Sequence, residues 1–598
     1  MKKISVILIA LFAALSLGAR TLYLVPGVWN TDGAKFAIYY FNGASDNGWS
    51  DFMTSVDADT YKADIPDAYT TVIFVRLNSA AAAPGWDAKW NQTEDLTVSG
   101  DYNQYSISDW GGDKSVGEWS VFGQQGGGGD NQGGSTQPQD YSSAVPSQCT
   151  DVMLQAFYWN SKSDMTYGGS QWATLSSQAS EISSYFDIVW LPPSCNANDE
   201  MGYLPKEYHN QNSKMGMKAG LKNLIKALHA GGTKVVADVV INHCGNRGSW
   251  VDFMDMDFGT YGKFSPQSTW ITSNDEAQGK GQLGSNADDG QESNANYPDA
   301  RDWDHKNPQV QDMCRAYLKF LKGEMGYDGF RFDYCGGYHV SHINDYVSNA
   351  KPYFSVMEYW NGNPATLKAR IDEASKNTLT FDFASFYTCY QQGIASNNYG
   401  KLVNPGLRGQ GYAKYAVNFI DNHDTFNRAD INNADCGNSK DGKSSLNNKE
   451  LIMQCNAYLL SMPGIPCVFW PHWYRYKADI QKMITARKKA GVHSESNVSE
   501  TSGNGYYEAT VTGKYGQLIL YLGSSANKAA PAGFIQAVKG SKYAIYYTGD
   551  GPQDIDNMQQ QPPALDTKLP MYNVLGQPVD ETYHGIIIQN GHKYYNNN

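Results

Sequence analysis

From Thr150 to about Ala490 short apolar runs alternate with stretches of helical spacing, and eight such runs can be counted. They begin at Val152 (VMLQAFYW), Ile188 (IVWLPP), Lys234 (KVVADVVINH), Gly329 (GFRFDY), Phe354 (FSVMEYW), Leu379 (LTFDF), Tyr415 (YAVNFIDNHD) and Cys467 (CVFWPHW). Between them Leu221, Leu224, Ile225 and Leu228 recur at helical spacing until Gly231, and Asn307-Pro308 opens a second helix carrying Val310, Met313, Tyr317, Leu318 and Leu321. Eight strand–helix repeats predict a closed parallel (β/α)8 barrel, with chemistry at the C-terminal ends of its strands; an open doubly wound sheet is the alternative. The stretch 244–301, rich in Gly, Asn, Ser and Asp, interrupts the alternation after the third strand and reads as an excursion domain on that face.

Outside this region the pattern is β throughout. Lys35 to Phe41 and Thr70 to Arg76 alternate as strands within a front module, 20–122, of β-sandwich size. Residues 505–511 and 517–522 predict a closing antiparallel β domain over 491–550. A Gly/Gln-rich tether at 123–147 and a Pro/Gln-rich linker at 551–568 bound the catalytic part (148–490) and a tail, 569–598. Lys2 and Lys3, the apolar run Ile4 to Leu17 and the small pair Gly18-Ala19 form the three parts of a signal peptide, 1–19, so the mature protein is expected outside the cytoplasm, secreted or at the cell surface. No later run is long enough to span a membrane.

Composition narrows the partners. The chain has 598 residues and a formal charge of −13, which disfavours nucleic acid and anionic lipid surfaces. Its 15 Trp, 41 Tyr and 22 Phe suit sugar faces, provided they cluster with polar groups. The nine Cys are dispersed among apolar segments, predicting mostly buried thiols with one or two bridges rather than a disulfide framework or a zinc site.

Charged side chains gather at the predicted strand ends. The third strand ends Asp238-Val239-Val240-Ile241-Asn242-His243, the fourth reads Gly329-Phe330-Arg331-Phe332-Asp333, the fifth ends at Glu358, and the seventh reads Phe419-Ile420-Asp421-Asn422-His423-Asp424. Three carboxylates at three strand ends, with one Arg and two His nearby, match the needs of glycoside cleavage. These four segments, in this order, resemble the signature regions of the α-amylase family of glycoside hydrolases. The plant-like branch is the nearest, through Leu154 to Trp159, Trp190 to Pro193, Gly202 to Pro205 and Pro463 to Phe469.

The resemblance implies retaining endo-hydrolysis of α-1,4-glucosidic bonds in starch, with Asp333 as nucleophile, Glu358 as acid and then base, and Asp424 as the third carboxylate. Arg331 would keep Asp333 ionised by lowering its pKa, and neighbouring carboxylates would hold the proton on Glu358. His243 and His423 would bind sugar hydroxyls, Tyr203 would stack under the sugar at the cleavage point, and Trp360 under the sugar on the leaving side. Asp238 and Asp421 are assigned to the barrel or its metal site. A structural Ca²⁺ is implied at Asn242, Asp302 and the carbonyl of Gly337, with Asp299 (or Asn296) as an upstream ligand. Trp470-Pro471 before His472 departs from the Tyr-Asp of plant relatives. The front module resembles bacterial starch-binding modules, with Tyr39 and Trp49 as candidate sugar contacts, and the tail resembles C-terminal sorting signals of type nine secretion, the ordinary alternative being a β-hairpin. The expected partner is an α-glucan and the expected state a monomer. The rival readings are another activity of the family (maltooligosaccharide-forming, transglycosylating or debranching) and a non-catalytic surface starch-binding protein.

Overall fold

The computed structural model describes residues 19–43, 46–56, 60–98, 103–110, 114–120, 139–291, 297, 300–426, 448–551, 571–572, 578–579, 585–589 and 592–596. The expected leader up to residue 18, the tether at 123–138, Asn296, Asp299 and the linker from residue 552 lie outside the described residues.

Eight parallel strands form the centre of the catalytic part: β1 (Met153–Gln155), β2 (Ile188–Leu191), β3 (Lys234–Val239), β4 (Gly329–Phe332), β5 (Phe354–Met357), β6 (Leu379–Phe381), β7 (Ala416–Phe419) and β8 (Ile465–Phe469). They pair in sequence order, and β8 returns to β1 through Met153–Cys467, Leu154–Val468 and Gln155–Phe469, so the sheet closes and the doubly wound alternative is excluded. Six of the eight strands are buried at every position and the other two, β3 and β7, at all but one, because side chains fill the barrel and helices cover it. The helix Pro308–Phe320 begins where its sequence asks: Asn307 accepts the N–H of Gln309 at 2.9 Å and Pro308 occupies the first turn. Such a cap stabilises by about 1 kcal/mol.

The excursion between β3 and β4 holds only short ladders, His243–Cys244 with Arg301–Asp302 and Met256–Asp257 with Lys263–Phe264. Few aliphatics are available to it, and Arg301 takes their place. Its guanidinium, 1% exposed, donates to the carbonyls of Cys244, Gly245, Ser249 and Asp252 and lies 4.0 Å from the centre of the Phe253 ring. The C-terminal domain is a five-stranded antiparallel sheet over Asn497–Gly503, Tyr506–Thr512, Gln517–Gly523, Ile535–Lys539 and Tyr543–Tyr547. Arg408 fastens it to the barrel by a two-pronged pair with Glu500 (2.7 and 2.9 Å). The tail forms short antiparallel strands, among them Gly585–Gln589 and His592–Asn596.

The N-terminal module is a sandwich of two sheets. Along Lys35–Gly43 the alternation works as expected: Phe36 and Ile38 enter the core with Leu22, Trp29, Val72 and Phe74, while Ala37, Tyr39 and Phe41 lie on the opposite face of their sheet. The cysteine expectation is corrected. All eight described cysteines are buried and free, with no bridge among the described residues. Dispersed apolar surroundings indicate burial, but sequence spacing carries no information on whether two Cβ vectors meet.

Candidate active site

The ends of β3, β4 and β5 are adjacent, so residues 238, 333 and 358 converge although about 120 positions separate the first from the last. One guanidinium joins them. Arg331, 1% exposed, donates from Nη1 to Asp333 Oδ1 at 2.6 Å and to Asp238 Oδ1 at 2.8 Å, and its Nη2 ion-pairs with Glu358 Oε1 at 2.7 Å. Glu358 Oε2 also accepts the backbone N–H of Tyr334 at 3.0 Å. Tyr334 directs that N–H from a left-handed backbone (φ 47°), a conformation a tyrosine rarely adopts.

One expectation about charge is revised. Arg331 does pull the pKa of Asp333 down, but burial outweighs it and Asp199 adds to the burial, so the carboxyl sits above its ordinary range. Glu358 is thus contacted by both a guanidinium and a peptide N–H. Asp238 is the group that burial raises most clearly, to about 7, against the pull of Arg331. It belongs to the carboxylate cluster itself, which the sequence reading placed elsewhere; its Oδ2 accepts from the Tyr203 hydroxyl (2.9 Å) and the Trp190 indole (3.0 Å).

Tyr203 is fixed from below by Asp199, whose carboxylate accepts four consecutive N–H groups, Met201 to Leu204, at 2.7 to 3.1 Å. Its ring stacks with His423 (5.1 Å, 9°) and Trp159 (5.8 Å, 18°), forming one aromatic wall. His423 Nδ1 accepts the Gln155 amide (3.0 Å), which leaves the proton on Nε2, 3.3 Å from Asp424 Oδ2. His243 is also present, held by the Tyr203 carbonyl (2.8 Å) and the Asn242 amide (3.2 Å). The loop carrying Asp424 is an Asn-anchored turn: Asn422 Oδ1 accepts from Asp424 N and Thr425 N, and Thr425 donates its hydroxyl to Asp421. Asp421 is buried beside His472 (3.9 Å) rather than at a metal site, and Trp470 is buried with its indole on the Tyr167 carbonyl. Trp360 follows Glu358, half-buried against Phe383 (4.5 Å).

The described metal candidates also meet. The Asn242 amide donates to Asp302 Oδ1 (3.1 Å), and its oxygen lies so close to Gly337 that a side chain there would collide with it. Burial and the surrounding Asp275, Asp288 and Glu276 push Asp302 up to about 9. Surplus buried acid of this kind fits a hard divalent cation, although no three His, Cys, Asp or Glu side chains share a ligating point among the described residues.

In the N-terminal module Tyr39, Trp49 and Trp86 form a three-ring cluster, with centroids 4.8 to 5.2 Å apart and planes inclined by 59 to 64°. Trp86, 40% exposed, sits on a short helical turn outside the strand pattern; the stretch it opens, Trp86 to Thr93, is part of the front module's resemblance, but only Tyr39 and Trp49 were expected as sugar contacts. Asp238, Trp159 and Gln155 escaped for a different reason: their roles arise from neighbouring strands.

The family model described as "Alpha amylase, catalytic domain" matches residues 185–471. "Probable alpha-amylase 2" of Arabidopsis thaliana is 27% identical over 426 residues, covering 66% of this chain and 94% of that protein. The "Glucan 1,4-alpha-maltotetraohydrolase" of Stutzerimonas stutzeri is 30% identical over 434 residues, covering 67% of this chain and 74% of that protein. Among solved structures, the α-amylase of Geobacillus thermoleovorans complexed with acarbose aligns with 67% of this chain and 98% of its own, at a TM-score of 0.46 and 15% identity.

Proposed function

The chain belongs to the α-amylase family and is a glycoside hydrolase of α-glucans, and from that premise we propose that it cleaves internal α-1,4-glucosidic bonds of starch by double displacement. The observation that carries the reading is the Arg331 fork between Asp333 and Glu358, since a guanidinium spanned by two carboxylates keeps them near the ~5–5.5 Å of a retaining pair. Asp333 attacks the anomeric carbon while Glu358 gives its proton to the leaving oxygen. Glu358 then takes a proton from the incoming water, whose oxygen displaces the Asp333 ester. Asp424 and Asp238 supply negative charge around the developing cation, Tyr203 underlies the sugar ring, and His243 and His423 meet its hydroxyls.

A Ca²⁺ held by Asn242, Asp302 and the Gly337 carbonyl would tie the excursion to the barrel. The Arabidopsis relative, together with Leu154 to Trp159 and Gly202 to Pro205, supports a place near the plant-like branch. The maltotetraohydrolase relative supports a second reading, release of short oligosaccharides of fixed length, which the product profile on amylose separates from random cleavage. The Tyr39–Trp49 cluster supports glucan binding by the front module, and residues 1–19 and 569–598 support export.

Glu358→Gln and Asp333→Asn test the mechanism: each should lower kcat on starch by about 10²- to 10⁴-fold or more at unchanged Tm. NMR of fresh reducing ends should show α-anomers. Near-normal turnover of either variant, or β-anomers, refutes the proposal.

A further inference from the structure

Trp360 is held in place by a residue that no signature segment contains. Its indole Nε1–H donates to the hydroxyl of Tyr387 at 2.8 Å, while Phe383 lies 4.5 Å from its ring at an inclination of 32°. Both contacts come from the segment after β6, where the chain departs from ordinary helix. Asp382 accepts from Ser385 N and Leu407 N and fixes a short turn, Phe383–Ser385, which continues as a π-helix, Phe386–Ile394. The wider π-turn places an additional residue in each turn, a costly winding that recurs at functional sites. Gly362, two residues after Trp360, completes the fit: a Cβ there would stand 3.0 Å from Tyr387 Cδ2, tighter than ordinary van der Waals contact.

We propose that Tyr387 is a positioning residue of the leaving-side sugar subsite, setting the orientation of the Trp360 indole and through it the affinity for the sugar that departs or accepts. This rests on the reading of Trp360 as the leaving-side stacking residue. The same subsite serves both half-reactions. In the first, the bond from the anomeric carbon to the leaving sugar oxygen breaks as the Asp333 ester forms, and the Glu358 proton moves to that oxygen. In the second, water or a sugar hydroxyl held at this subsite attacks, the ester breaks, and the attacker's proton returns to Glu358. Better-held sugar competes with water, so the Trp360 orientation also governs the share of transfer products.

The test compares maltoheptaose, which fills the leaving side with glucose, with 2-chloro-4-nitrophenyl maltotrioside, whose activated phenol departs without a sugar there. Tyr387→Phe keeps the ring and removes the acceptor of the indole hydrogen bond; Gly362→Ala crowds the same ring and serves as the second variant. Tyr387→Phe should raise KM for maltoheptaose about five-fold, the effect of one lost hydrogen bond. It should lower the transfer fraction at high maltotriose and leave kcat/KM on the aryl substrate within about two-fold. Equal losses on the two substrates mean that Tyr387 only supports the fold, which overturns the inference. Trp360→Ala separates the premise: if it changes maltoheptaose turnover and Tyr387→Phe does not, this inference alone fails, and if neither changes it, the leaving-side reading of Trp360 fails with it.

Discussion

Replacing Asp421 by Asn should change how the stability of the protein depends on pH more than it changes the structure. The Asp421 side chain is 0% exposed, accepts the hydroxyl of Thr425, and faces His472, itself buried and held neutral with a pKa lowered to about 3 by burial. Burial raises Asp421 to about 7, against about 3.9 for an unfolded Asp. The folded state therefore binds a proton that the unfolded chain has already released between about pH 4 and 7, and the stability from this site falls by about 1.4 kcal/mol per unit across that window, approaching 4 kcal/mol above it. An amide cannot lose that proton and still accepts from Thr425. Asp421→Asn should thus match the wild type only at or below about pH 4, exceed it increasingly up to about pH 7 and hold that lead above it, as read by calorimetric Tm at pH 4, 5, 6, 7 and 8. Parallel curves would mean that Asp421 is ionised in the folded state, and the argument from its burial would be wrong.

Chelation with EDTA should lower Tm, with recovery on adding Ca²⁺, since the ligand set offers hard oxygen donors; an unmoved Tm rules the ion out. Tyr39→Ala with Trp49→Ala should abolish most adsorption to starch granules while sparing turnover of soluble maltoheptaose, and unchanged adsorption refutes the sugar-binding role of the module. In the native host, removal of residues 569–598 should leave the enzyme unreleased, and the mature N-terminus should begin close to Arg20; normal release, or an uncut N-terminus, refutes the export reading.

The barrel was legible because its eight strands are apolar at nearly every position, a pattern that survives without any knowledge of neighbours. The placement of Asp333, Glu358, Asp424 and Arg331 was legible because each lies within, at the end of, or in the loop just after such a strand in a distinctive local motif. Asp238 was not: its position in the cluster follows from the pairing of β3 with β4, a tertiary fact. The direction of the Asp333 pKa was misjudged for a related reason, since the partner Arg331 is visible two residues away and the depth of burial is not. Tyr387 was invisible because a π-turn leaves no periodicity that distinguishes it from an amphipathic helix, and the thiols because pairing depends on Cβ directions.

The eight unbridged thiols carry a consequence for handling and lifetime. Burial raises Cys195 to about 12 and Cys244 to about 11, so the eight described thiols present almost no reactive sulfur to an oxidant while the protein is folded. Once heat opens the fold, the same sulfurs ionise near their ordinary pKa and can cross-link in many wrong combinations. In an oxidising medium such melting is a one-way event, and the endurance of this enzyme is governed by how seldom it opens rather than by how far equilibrium favours the closed form.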